Sequence, residues 1–365
     1  MALIVFYYGS TSEVAWLFLL AYWIVALVVA AYIYGLWNRR GLGARFSLAG
    51  TQPAPDSPLA TLPEQLLRSG PIPAPIFEGD RADIQLTLTT KGSPRGPARL
   101  SGLIGGVDVR VATGLVPKSG WSEERTVGPV RRGRILAQAC VLESSDPLGL
   151  FRFRRRRIDG EVGLVLPRFA SLAAVPRARE LEASVAAPRA GAGVELFGVR
   201  EYRPGDPLRR IHWRSSARLG ELVVREFEPP GQQTLGIFCD PRPANREVAD
   251  QVARLAASEA WDCIGEGGRV FLWAPGLESS LPSEASSFWA LLEWLARYPQ
   301  ASQESGGDAP PVTDAVGVTA APSSSLIEAL ETVRRKGGSI RAWVVGDAEL
   351  AVEAPIQRVG TSWPL

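Results

Sequence analysis

Seven arginines stand between Val194 and Glu228 in the stretch VELFGVREYRPGDPLRRIHWRSSARLGELVVREFE: Arg200, Arg203, Arg209, Arg210, Arg214, Arg218 and Arg225. Among them lie Glu201, Asp206, Glu221, Glu226, the aromatics Tyr202 and Trp213, and His212, the single histidine of the chain. Guanidinium forks pair with carboxylates in a bidentate way, either within a fold or across an interface. Two readings follow for the set Arg200, Arg203, Asp206, Arg209, Arg210, Arg214, Arg218 and Glu226. The charges can pair among themselves and lock the segment to its domain, or part of the ridge can face outward and dock an acidic partner. His212 lies close to Ser215 and Ser216, but nucleophilic chemistry needs a hydroxyl or thiol and a base in one positioned set. No GxSxG elbow is present and no second histidine can share a metal, so His212 and Trp213 read as packing residues.

Asp240 is the second candidate. It ends the apolar run Thr234–Cys239, and open α/β sheets bind ligands beyond the carboxyl ends of their strands. The loop that follows is Asp240-Pro241-Arg242-Pro243-Ala244, which offers too few oxygens for a hard cation and sets a positive charge where one would lie. The reading is therefore no metal, no cofactor and no catalytic residue. Asp240 then pairs with Arg242 or caps the next helix. Cys140, Cys239 and Cys263 have no CxxC spacing, which argues against zinc and against a disulfide framework. The second function class, a hydrolase or metal-dependent enzyme, would have to use Asp240 and the His212 region.

Elements must position these groups. Pro204-Gly205-Asp206-Pro207 predicts a turn into a helix, with Asp206 as N-cap and Pro207 at the first helical position. Leu208 and Ile211 give that helix one apolar side, and Gly220 ends it. Leu222, Val224 and Phe227 then alternate as a strand does, so the unit is strand, turn, short helix, strand.

The run GVREYRPGDPLRRIHWRSSARLGELVVREFE closely resembles the signature of the bacterial domain-of-unknown-function family fifty-eight. The resemblance implies a membrane-anchored protein with a β-rich domain and a C-terminal domain similar to von Willebrand factor type A. It implies a partner-binding role beside MoxR-type AAA+ ATPases and transglutaminase-like membrane proteins. In domains similar to von Willebrand factor type A, the carboxylate matching Asp240 opens an Asp-x-Ser-x-Ser metal loop, and both hydroxyl positions are lost here. Members carry a membrane hairpin, whereas Met1–Tyr8 is too short to span.

Charge is divided along the chain. Before Arg246 there are 31 Lys and Arg against 22 Asp and Glu; from Arg246 onward there are 9 against 16. The basic part suits anionic lipid headgroups, and the two basic clusters Arg131–Arg134 and Arg152–Arg157 carry no aromatic platform for single-stranded nucleic acid. Membrane lipids are thus expected as partners and nucleic acid is not, although a lipid- or nucleic-acid-binding protein using these clusters is a third class.

In chain order, residues 1–46 predict a membrane anchor with a transmembrane helix over 14–37, uncharged and long enough at ~1.5 Å per residue to cross a ~30 Å core. Arg39, Arg40 and Arg45 follow it, which predicts a single-pass cell-membrane protein with its bulk in the cytoplasm. Residues 47–75 read as a linker with one short helix, and 76–169 as an immunoglobulin-like β-sandwich, since period-two runs are separated by Gly and Pro. Residues 170–192 read as a connector. Residues 193–365 hold the arginine-rich segment and an α/β doubly wound domain, in which short buried strands alternate with helices. The whole predicts a protein-binding adaptor or assembly factor.

Overall fold

The computed structural model describes residues 1–12, 15–71, 74–154, 157–172, 196–201, 223–227, 234–277, 287–299, 309 and 312–363. It divides into two compact units, residues 1–62 with 70–166, and residues 63–69 with 167–365.

The first unit opens with helix α1 (Ala2–Ser12) and helix α2 (Ala15–Gly41). The Phe6 and Phe18 rings meet edge to face at 5.3 Å. α2 is long and apolar enough to cross a membrane, whereas the eleven residues of α1 rise only about 16 Å. Most large side chains of α2 are exposed up to Ile33, so water is the wrong surrounding for that stretch.

Strand β1 (Leu42–Gln52) follows Gly41 directly and pairs antiparallel with β3 (Arg81–Thr90). The opening of the expected linker, residues 47–52, is therefore sheet. Leu42, Ala44, Phe46 and Leu48 carry period-two alternation, which the flanking arginines and small residues obscured. β6 (Trp121–Val127) completes this sheet in the order β1-β3-β6. The second sheet runs β2 (Ile76–Phe77), β9 (Ile158–Leu166), β7 (Gly133–Ser145), β4 (Ala98–Ile104), β5 (Val107–Thr113), with β8 (Arg152–Arg154) beside β7. Ala82, Ile84, Leu86 and Leu88 from one sheet share a core with Leu100, Val109, Ile135, Leu142 and Val165 from the other. The inward set on β3 is the one its alternation predicts.

The foot of α2 is bolted to these sheets. Asn38 is fully buried; its Nδ2 donates to Pro97 O at 3.3 Å and Ser145 O at 3.0 Å, and its Oδ1 accepts from Gly96 N at 2.9 Å. Tyr34 Oη donates to Gly96 O at 2.7 Å. The Arg95 guanidinium lies 3.4 Å from the Trp37 ring centroid and donates to Trp37 O. A Cβ on Gly41 would strike that guanidinium, and one on Gly35 would strike the Phe153 ring.

The second unit contains α3 (Glu64–Arg68), whose Leu66 carbonyl accepts from Trp289 Nε1 at 3.0 Å. β10 (Leu196–Glu201) and β11 (Val223–Phe227) form an antiparallel ribbon. The rest is a five-stranded parallel sheet built from β12 (Thr234–Cys239), β13 (Arg269–Trp273), β14 (Asp314–Thr319), β15 (Ile340–Val345) and β16 (Ile356–Val359). Its order is β13-β12-β14-β15-β16. Helices α4 (Arg246–Gly265), α5 (Phe288–Arg297) and α6 (Ser324–Arg335) cover it. Phe238, Ala315, Ala342 and Val344 pack with Leu326 and Leu330 of α6, whereas Trp343, of opposite parity, reaches Glu259 on α4. Both faces are therefore covered, as a parallel sheet requires. Phe169, assigned by its sequence to the end of the sandwich, instead packs on Trp261 and Phe288 at 5.1 and 5.3 Å. Ala170 N and Leu172 N donate to Ser258 Oγ and Asp262 Oδ2, so the expected connector begins bonded to α4.

The turn after β7 has a titratable lock. Asp146 is buried, and burial raises its pKa, but N–H groups of Phe151, Leu150 and Leu148 outweigh this and hold it below the ordinary value. Its carboxylate accepts from Leu148 N at 2.9 Å and Phe151 N at 2.6 Å. A depressed pKa stabilises the fold above the unfolded value of about 4, and that contribution is lost as pH falls through the folded value. Thermal melts of the detergent-solubilised chain and of Asp146→Asn should therefore stand furthest apart above pH ~4 and converge only as pH falls further, through the depressed folded value. A pH-independent gap would contradict this.

Candidate functional site

The parallel sheet reverses its winding between β12 and β14, and the groups at their carboxyl ends form the site to which such a fold directs ligands. Cys239 lies opposite Val318 in register, which sets Asp240 beside Thr319. Asp240 is fully buried. Its Oδ1 accepts from Thr319 Oγ1 at 2.5 Å; its Oδ2 accepts from Ala321 N at 3.1 Å and also from Ala320 N. Tyr298 Oη donates to the Asp240 carbonyl at 2.6 Å.

The carboxylate is thus a brace between two strand ends and the loop that leads into α6. It neither caps the next helix nor pairs with Arg242. Asn245 caps α4, with Oδ1 accepting from Val248 N at 2.9 Å, and Arg242 is exposed. Thr319 and Tyr298 were not singled out as partners from the sequence. The available signal was a hydroxyl at the end of the third strand of the sheet, one step from the register of Asp240.

The metal implied by the resemblance does not fit this donor set. A hard cation needs about six oxygens, and the Asp240 oxygens here face N–H and O–H donors. Among the described residues, no group of three or more His, Cys, Asp or Glu stands together. Thiolate chemistry is disfavoured too. Burial pushes the Cys263 thiol up to about 11, and burial, then Asp159, raises that of Cys140, so both are protonated at neutral pH.

A second buried carboxylate joins helix to sheet. Glu259 on α4 accepts from Arg341 Nη2 at 2.6 Å and Trp343 Nε1 at 2.5 Å, with Trp343 fully buried. The pair with Arg341 and the bond from Trp343 together tie α4 to β15.

Of the arginine-rich set, Arg200 lies in β10 opposite Val224, and Glu226 lies in β11 opposite Gly198. This ribbon gives the two flanking strands expected from the sequence. Arg203, Asp206, Arg209, Arg210, His212, Trp213, Arg214 and Arg218 fall outside the described residues.

Fold and site together define a protein with an apolar helix fused to a β-domain and a doubly wound α/β unit whose switch-point carboxylate is a structural brace. Residues 198–334 match the family described as "Protein of unknown function DUF58". An 83-residue stretch is 29% identical to "Uncharacterized protein YeaD" of Bacillus subtilis (strain 168), covering 23% of this chain and 20% of that protein. The aligned part thus spans about a fifth of the curated relative. No solved structure matches the chain.

Asp240→Ala would leave the Thr319 hydroxyl and two amides without their acceptor, at a cost of about 2–4 kcal/mol by analogy with other buried charged bonds. Chemical denaturation is expected to show that loss, and Mg²⁺ or Mn²⁺ should leave the wild-type melting temperature unchanged. Saturable stabilisation by either ion, abolished in Asp240→Ala, would contradict the brace.

Proposed function

We propose that this chain is a membrane-anchored protein-binding adaptor or assembly factor. The observation that carries the reading is the Asp240 carboxylate, which is taken up in joining β12 to β14 and the loop before α6. At the position where a doubly wound sheet offers its ligand groups, this unit offers a braced surface.

On this reading α2 is a single-pass anchor in the cell membrane, and Arg39, Arg40 and Arg45 keep both units in the cytoplasm. The two-sheet domain is an immunoglobulin-like sandwich. The α/β unit is a relative of von Willebrand factor type A that has lost its metal loop and kept protein binding. The resemblance supplies the partner class, a MoxR-type AAA+ ATPase. On this reading Arg209 and Arg214 are the contacts with an acidic face of that partner.

Affinity capture from native membranes with quantitative mass spectrometry tests this. The wild-type chain should retain an AAA+ ATPase, and Arg209→Glu or Arg214→Glu should lose it while melting as wild type does. Recovery of neither an ATPase nor an envelope protein would overturn the adaptor reading.

A further inference from the structure

Among the described residues, the β-domain exposes six large apolar side chains, and three are exposed by more than half: Leu115 at 57%, Leu148 at 56% and Leu150 at 53%. Leaving a leucine in water forgoes its burial, although lone cases need no explanation. These three are not scattered. Ala98 pairs with both Thr113 and Ser144, so the loops carrying Leu115 and Leu148–Leu150 leave the sheet at one end. Ile104 and Val107 mark the opposite end, about 20 Å away along β4.

That end is the one bolted to α2. Asn38 bonds to Pro97 and Ser145 there, and the Tyr32 ring stands 5.4 Å from Phe151 and 5.8 Å from Phe153. The loop is held as well: Asp146 binds the amides of Leu148 and Phe151, so its leucines are presented rather than loose. The level of the contact matters. From Trp16 to Ile33 most large side chains of α2 are exposed, a rise of about 26 Å and close to a ~30 Å hydrocarbon core, and beyond it only Trp37, 43% exposed, stands before Arg39. Tyr32 therefore lies at the rim of that core, and Phe151 lies with it. Arg39, Arg40 and Arg152 are exposed nearby, where anionic headgroups would be.

We propose that Leu115, Leu148 and Leu150 form a collar that dips into an anionic bilayer around the foot of α2 and holds the β-domain against the membrane surface. The collar rests on the reading of α2 as a membrane span. Its occupant is lipid, since the patch continues the apolar surface of the helix and is flanked by exposed arginines.

The test uses the full chain in nanodiscs of phosphatidylcholine and phosphatidylglycerol. Cys263→Ser leaves only the buried thiols of Cys140 and Cys239. Onto it are placed, one at a time, Leu115→Cys, Leu148→Cys, Leu150→Cys, Val107→Cys and Val25→Cys, each labelled with nitrobenzoxadiazole. All five native side chains are exposed, so folding does not depend on them. Spin-labelled lipids should quench positions 115, 148 and 150 several-fold more than 107, with blue-shifted emission. Quenching at 25 but not at the three collar positions would overturn the collar and leave the anchor standing. No quenching at 25 would overturn the anchor reading and the collar with it. A blue shift at 148 and 150 without quenching, with cross-linking to a second copy, would show that protein covers the patch and would also overturn the proposal.

Discussion

A buried carboxamide at the end of an apolar helix must find partners, and Asn38 finds all of them on the β-domain. Its three bonds reach the Gly96-Pro97 turn and the end of β7, so separating helix from sheets would leave four polar groups unsatisfied. Arg95 repeats the constraint from the other side, with 8% of its surface exposed and its charge over the Trp37 ring. Glycine at 35 and 41 is what lets the two surfaces close. Since β1 starts at the residue after α2 ends, no linker separates the apolar helix from the β-domain.

The α/β unit uses buried charge in the same way. Asp240 ties the two strands at the switch point, and Glu259 ties α4 to β15. Both carboxylates act as fasteners, accepting from N–H and O–H donors of other elements. Carboxylates so engaged brace the fold, which is the ground for reading the unit as a binding module.

Much of this was legible in the sequence where period and punctuation agree. The helix over Arg246–Gly265 with its Asn245 cap, the alternation on β3 and the short apolar strands of the parallel sheet follow from their patterns alone. β1 did not, because its alternation is carried by small residues beside arginines that also read as a membrane flank. β16 was missed as well; Ile356–Val359 is a short edge strand whose pairing with β15 is a tertiary fact. At the site, Asp240 was visible from its place after a strand, but its partners come from some 58 to 81 residues further on. Local pattern carries no register between strands so distant. Asn38 was hidden for a similar reason, as a lone polar residue at a helix end reads as solvated until the turn that receives it is known.

Hydrogen–deuterium exchange on the full chain in detergent or nanodiscs tests the fused junction most directly. The amide of Gly96, bound to Asn38 Oδ1, and that of Lys91, bound to Gly41 O, should exchange as slowly as the core amides of β3. In Asn38→Ala both should become fast while β3 remains protected. Rapid exchange at Gly96 and Lys91 in the wild-type chain, with β3 still protected, would mean that the helix opens away from the β-domain by itself and would contradict the account.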